Sequence, residues 1–89
     1  FTPVAAEFTG TPLAGLIPLP VTFTNLTTGD ATTWAWDFDN DSVVDSTARD
    51  PSFTYTTPGT YTVVLTASGP GGTNTRTRTA YVAVAGPVV

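Results

Sequence analysis

Between Thr60 and Ala67 the chain reads TYTVVLTA, so Tyr61, Val63, Leu65 and Ala67 alternate with Thr60, Thr62, Val64 and Thr66. A period of two puts each set on its own face of a pleated strand, and no helix can separate them that way. The segment is therefore expected to be a central strand with one apolar face. Shorter versions of the pattern recur: Val21 and Phe23 against Thr22 and Thr24, then Trp34, Trp36 and Phe38 on one face, then Phe53 with Tyr55. Gly, Pro, Asn and Asp punctuate these runs every eight to twelve residues or so, which is the spacing of an all-β sandwich. No stretch supports a helix. Val4, Ala6 and Phe8 are expected to form a first strand. "TPLAGLIPLP" carries too much proline for a central ladder position and reads as an edge crossing.

The last strand breaks the rule. Ala80, Val82 and Val84 share parity with Arg76 and Arg78, and two arginines cannot face a dry core with them. Either a bulge lies between Thr77 and Ala80, or the arginines lie beyond the rim of the sandwich. "SGPGG" (68–72) reads as a hairpin loop, and "TPGTY" (57–61) as a turn opening the central strand. Tyr61, just after that turn, is placed like the tyrosine corner of immunoglobulin-like sandwiches.

Composition removes several kinds of chemistry. At 89 residues the chain is one domain (1–89), with a core over about 4–84 and a linker or assembly segment at 85–89. It has no cysteine and no histidine, so disulfides, thiolate or imidazole metal sites and the usual neutral-pH general base are absent; any metal must be bound through oxygen. Three arginines against seven acids give a net charge of −4, which would repel a phosphate backbone, so no nucleic-acid partner is expected. No apolar run approaches the roughly 20 residues needed to cross a bilayer, and no charged-then-apolar leader precedes Phe1, so the expectation is a mature fragment or an excised domain without membrane insertion. About a fifth of the residues are threonine and only 11% are charged, a balance often met in extracellular and cell-surface proteins.

"PVTFTN", "WAWDFDND", "DPSFTYTTPGTYTVVLTASGPGG" and "TRTAYVAV", in this order and spacing, resemble the PKD (polycystic kidney disease) domain over about Val4 to Val84. The hallmarks of that family are a Trp-Asp-Phe run entering an acidic turn and a Pro-Gly-Thr-Tyr strand entry, here Trp36 to Asp41 and Pro58 to Tyr61. The chain departs from the usual pattern where Asp39 and Ser42 replace glycines, which makes the turn longer and more acidic. The resemblance implies an immunoglobulin-like β-sandwich of about seven strands in a secreted or cell-surface protein. It also implies an accessory role as spacer, adhesion or assembly module, or companion to a hydrolase, and not a catalyst.

In "WAWDFDNDSVVDS" (34–46), Asp37, Asp39, Asp41 and Asp45, with the Val43 carbonyl, match the first, third, fifth, ninth and seventh offsets of an oxygen-ligand calcium loop. The loop is incomplete, because Ala48 stands at the twelfth offset and Ser42 at the glycine position. A half-loop can still hold Ca²⁺ with water completing the shell, and some bacterial PKD relatives bind calcium in this region. Alternatively the aspartates accept hydrogen bonds from turn amides and face water. A glycosidase-like carboxylate pair is disfavoured, because a small convex sandwich offers no cleft for a sugar.

Trp36 is expected in the core. Trp34 is expected there too, although a place at the rim would make it a stacking platform for a sugar ring, helped by Tyr81, which alternation points outward with Val64. Two sequons, Asn25-Leu26-Thr27 and Asn40-Asp41-Ser42, are candidate N-glycosylation sites, Asn25 being the better placed. Both chain ends are extended, proline-marked and apolar. Phe1, Val88 and Val89 are candidate contacts between neighbouring copies or adjacent domains of the parent protein. The functional expectation is a non-enzymatic extracellular structural, assembly or adhesion module, as a repeat in a surface protein or the subunit of a head-to-tail fibre. The alternative is a carbohydrate-binding or spacer accessory of a secreted hydrolase, with polysaccharide as partner.

Overall fold

The computed structural model describes residues 1–86. Seven strands follow one another: β1 (Phe8–Thr11), β2 (Ala14–Leu16), β3 (Leu19–Asn25), β4 (Thr33–Asp37), β5 (Ser52–Tyr55), β6 (Gly59–Gly69) and β7 (Gly72–Ala85). They form two sheets, ordered β1-β3-β5 and β2-β7-β6-β4. All neighbours are antiparallel except β2, which runs parallel to β7. This is the expected β-sandwich, and the Thr60–Ala67 segment lies centrally, in β6 between β4 and β7.

The alternating apolar residues meet between the sheets. Phe8, Val21, Phe23 and Tyr55 come from one sheet and Trp36, Val63, Leu65 and Val82 from the other, none more than 2% exposed. Phe8 meets Trp36 edge-on at 5.1 Å between ring centroids, and Phe23 stacks on Phe38 at 4.8 Å. Burying several such rings together is the main source of stability available to so small a domain.

The first strand is shorter than expected. Val4 and Ala6 are buried against Ala67, but the ladder with β3 begins only at Phe8. The Ala6 N–H donates to the Asn74 side-chain oxygen on β7, while the backbone keeps to the β3 side: Ala5 exchanges hydrogen bonds with Thr28 and the Glu7 carbonyl accepts the Leu26 N–H, in the register that Phe8 and Asn25 continue. "TPLAGLIPLP" does supply an edge strand, the three-residue β2.

The arginine conflict in β7 has a definite resolution. Tyr61 pairs with Val82 but Val63 pairs with Arg78, so Thr62 faces a bulge of Thr79, Ala80 and Tyr81. Ala80 there takes a φ of 53°, and its N–H donates to Thr62 Oγ1. The bulge thus falls slightly later than expected. Because it preserves parity, it does not turn the arginines away; they fill the seam between β7 and β1 instead. Arg78 donates through Nε to the Phe8 carbonyl at 2.9 Å and pairs with Glu7, while Arg76 lies 3.5 Å from the same carboxylate. Outward alternation fails for Tyr81 at this bulge: the ring turns inward, edge-on to Phe8 at 5.8 Å, and its hydroxyl accepts the Gly10 N–H.

Both expected turns form. β6 and β7 join through Pro70 and Gly71, with Gly69 opposite Gly72. The Tyr61 hydroxyl donates back to the Thr57 carbonyl, which is the tyrosine-corner bond. Residue 71 must be glycine, because a Cβ there would collide with the Thr2 carbonyl oxygen. Thr2 is held at this pole by exchange of hydrogen bonds with Asp30, while Gly86 lies against Pro58 at the start of β6. The eleven residues of β6 separate the two poles by roughly 33 Å, in a body measuring 54 × 21 × 18 Å.

Candidate functional site

The acidic turn hangs from the end of β4. Trp36 donates its N–H to the Ser46 carbonyl at 2.8 Å and accepts the Asp45 N–H at 2.7 Å, which closes residues 37–45 into a loop. Alternation sends Trp36 and Phe38 into the core and leaves Asp37 and Asp39 on the other side. The Asp37 carboxylate then organises the loop, accepting the N–H groups of Asp39 and Asp41 at 3.3 Å and of Ser42 at 2.9 Å. Asp45 accepts from Phe38 N–H at 2.8 Å, and Asp41 from Val43 N–H at 2.9 Å. Asn40 and Ser42 adopt φ of 57° and 66°. Ser42 therefore takes the left-handed conformation that glycine usually supplies in a calcium loop.

The core fixes this loop from behind. The Trp36 indole N–H donates to the Ala48 carbonyl at 2.8 Å, and the buried Tyr55 hydroxyl donates to the Phe38 carbonyl at 2.7 Å. Ala48, at the offset where a twelfth-position glutamate would stand, is a partner of the core and brings no carboxylate.

Four carboxylates converge as a result. One oxygen from each of Asp37, Asp39, Asp41 and Asp45 can be chosen so that all lie within 4.8 Å of one another. Calcium–oxygen bonds of about 2.3–2.6 Å put ligands on opposite sides of one ion about 4.6–5.2 Å apart, so the group fits a calcium ion in size and in donor type. Each bound N–H leaves its carboxylate with further lone pairs for a cation. Val43 enters the network through its N–H; its side chain is 60% exposed.

The electrostatics fit the same picture. Partial desolvation, a hydrogen bond shared with the Asp37 carboxyl and repulsion from Asp45 and Asp41 push Asp39 up to about 6. Asp37 is desolvated as well, but the hydrogen bond with Asp39 and the three backbone N–H donors hold it below the usual carboxylate range. Below about pH 6 the pair therefore favours keeping one proton, and a divalent cation would take its place.

The other residues marked by the sequence are scattered. Trp34 pairs with Ala67, is half-buried, and packs against both apolar clusters. Tyr81 lies far along β7 from the position opposite Trp34, and the Arg78 guanidinium covers its ring at 5.2 Å. The two rings therefore form no common sugar platform. The two sequons differ in burial: the Asn25 amide nitrogen is buried without a partner among the described residues, whereas Asn40 is exposed. Phe1 is 94% exposed at the hairpin pole. Val88 and Val89 lie outside the described residues. The Glu7, Arg76 and Arg78 seam, the left-handed Asn40 and the inward Tyr81 were illegible in the sequence.

Sandwich topology, tyrosine corner and tryptophan-anchored acidic loop together define an immunoglobulin-like domain. Its family follows from comparison: a model of the PKD domain matches residues 2–84, and the chain belongs to the PKD domain family. Among solved structures it is similar to the PKD1 domain of Vibrio anguillarum Epp, with 36% identity and a TM-score of 0.71 over 93% of this chain and 96% of that one. It is also similar to the PKD1 domain of the Vibrio cholerae metalloprotease PrtV, with 28% identity and a TM-score of 0.72 over 91% of this chain and 98% of that one. No curated protein sequence matches the chain.

Proposed function

We propose that this PKD domain is a non-catalytic structural module of the extracellular or cell-surface space, serving assembly or adhesion through head-to-tail contact with further copies or adjacent domains. The observation that carries this reading is polarity. Thr2 is fixed at the hairpin pole and Gly86 at the opposite pole of a narrow body 54 Å long. Sandwiches joined in series through such ends extend as a rod, and Phe1 stands exposed where a neighbour would abut.

In the same reading the acidic turn holds one calcium ion through Asp37, Asp39, Asp41 and Asp45, with water completing the shell. The ion would supply the positive charge that the four carboxylates lack and tie the loop to β4. The carboxylates converge on a single point on an exposed loop, whereas glycoside cleavage needs two of them facing each other across a sugar.

Imaging native material, with cross-links mapped from residues 1–5, tests the assembly. Periodic copies about one domain length apart, linked through these residues to a neighbour, are expected. Monomeric particles without such links would contradict it. A second reading, an accessory domain of a secreted hydrolase acting as spacer or polysaccharide binder, is favoured by the likeness to the PKD1 domain of a Vibrio cholerae metalloprotease. Finding the domain fused to a catalytic domain in native material would select it.

A further inference from the structure

The two sequons stand in opposite states of access. Asn25 ends β3, donates its N–H to Asp50 at 2.9 Å, and accepts the Thr27 N–H through Oδ1 at 3.0 Å. That bond fixes the amide orientation, since the reversed amide would set two donors against each other. The inward nitrogen, the atom of this side chain that would accept a glycan, is then buried with no partner among the described residues. The hydroxyl at the third sequon position is committed too: Thr27 Oγ1 accepts the Glu7 N–H and donates to the Glu7 carbonyl. Glu7 is itself clamped by Arg76 and Arg78.

Asn40 differs at each point. It is exposed, it sits at a left-handed turn position that throws it clear of the strand, and among the described residues no hydrogen bond holds its side chain or the Ser42 hydroxyl. It also borders a shallow groove of about 260 Å³ whose lining includes Ala35, Val43, Val44 and Val64. Val43 and Val44 are 60% and 57% exposed, an apolar surface on an otherwise polar loop. A sugar ring, with its apolar C–H face, would cover it.

We propose that Asn40, and not Asn25, is the N-linked glycosylation site of the folded domain, with the first sugar seated over the Val43 and Val44 groove. In the transfer, Asn40 Nδ2 bonds to the anomeric carbon of a phosphate-activated glycosyl donor. The anomeric C–O bond breaks with its electron pair leaving on the phosphate, and the amide nitrogen gives up one proton to a base of the transferase.

The experiment uses the folded, purified chain with a soluble transferase that modifies Asn-x-Ser/Thr from a nucleotide-activated hexose, so it is independent of where the protein resides and of the assembly reading. Intact mass and peptide mapping should show one hexose on Asn40, added at least about tenfold faster than any on Asn25, which must wait for local opening. Asn40→Gln should abolish that addition and Asn25→Gln leave it unchanged, while a synthetic peptide spanning Asn25 should be modified freely. No hexose on Asn40 of the folded chain, equal rates at the two sites, or an Asn25 peptide that is refractory by itself would each overturn the proposal.

Discussion

Trp36 and Asp37 are neighbours on β4 and end in opposite surroundings. Trp36 is fully buried, the Phe8 and Phe23 rings pack against it from the facing sheet, and its indole N–H has a partner. Asp37 faces the loop side, where four carboxylates meet with no side-chain cation among them. One period of two residues produces both regions. The core side is complete as it stands, whereas the acidic side satisfies its backbone amides and still carries uncompensated charge. The first sets whether the domain folds, and the second is where the proposed calcium response would arise.

The largest effect is expected from removing the anchor that the two regions share. Trp36→Ala should cost about 3 to 5 kcal/mol, comparable with the whole stability of a domain this small, and denaturant unfolding should show little folded protein. Trp34→Ala, at a half-buried ring, should cost clearly less. Equal losses would mean that the two rings carry the core alike.

Next in size is the response of the acidic side. At free calcium about 100 times the dissociation constant, binding to the folded state alone adds about 2.7 kcal/mol, and the melting temperature should rise by several degrees. Trp34→Ala should retain that rise, since its ring does not touch the loop's hydrogen bonds. The link between the regions can be cut with less disturbance by Tyr55→Phe, which strands the buried Phe38 carbonyl. A loss of about 1 to 3 kcal/mol is expected by thermal melting. A neutral result would mean that the core does not hold the loop through this bond.

The smallest effect is a pH dependence of the calcium-free domain. The Asp39 value is raised from its ordinary 3.8 to about 6, so in this window the folded state binds the proton that the unfolded state has lost. By linkage this contribution to stability is present below about pH 4, falls as pH rises to about 6, and is level above. Asp37, shifted the other way, acts below pH 4 and does not cancel it. Melts in chelator across pH 4 to 7, compared with Asp39→Asn, isolate this contribution. A variant with the same slope as the parent chain would remove Asp39 as its source.

Most of the sandwich was legible because its signal is local. Alternation placed Val21, Phe23, Trp36, Val63 and Leu65 inside, and the Pro70–Gly71 and Pro58–Gly59 turns followed from residue type. Tyr81 was misplaced because the bulge that turns it depends on pairing with Thr62, a contact between distant residues. The arginines share the core parity yet are tolerated, because Glu7 and the Phe8 carbonyl meet them across the seam. The four aspartates were legible as a spacing, whereas their convergence depends on Asp37 capping three amides. The burial of the Asn25 amide nitrogen could not be read at all, since Asp50 holds the Asn25 N–H from one distant segment and Glu7 engages Thr27, the partner of Asn25 Oδ1, from another.

The proposed calcium site requires that the core hold the four carboxylates ready as an oxygen cage for one divalent cation. Isothermal calorimetry of the folded chain with calcium, beside Asp39→Asn with Asp41→Asn, tests it most directly. One site per chain is expected in the parent, lost in the double variant while the two calcium-free folds melt cooperatively. No binding heat at millimolar calcium, or a site that survives the double substitution, would contradict it.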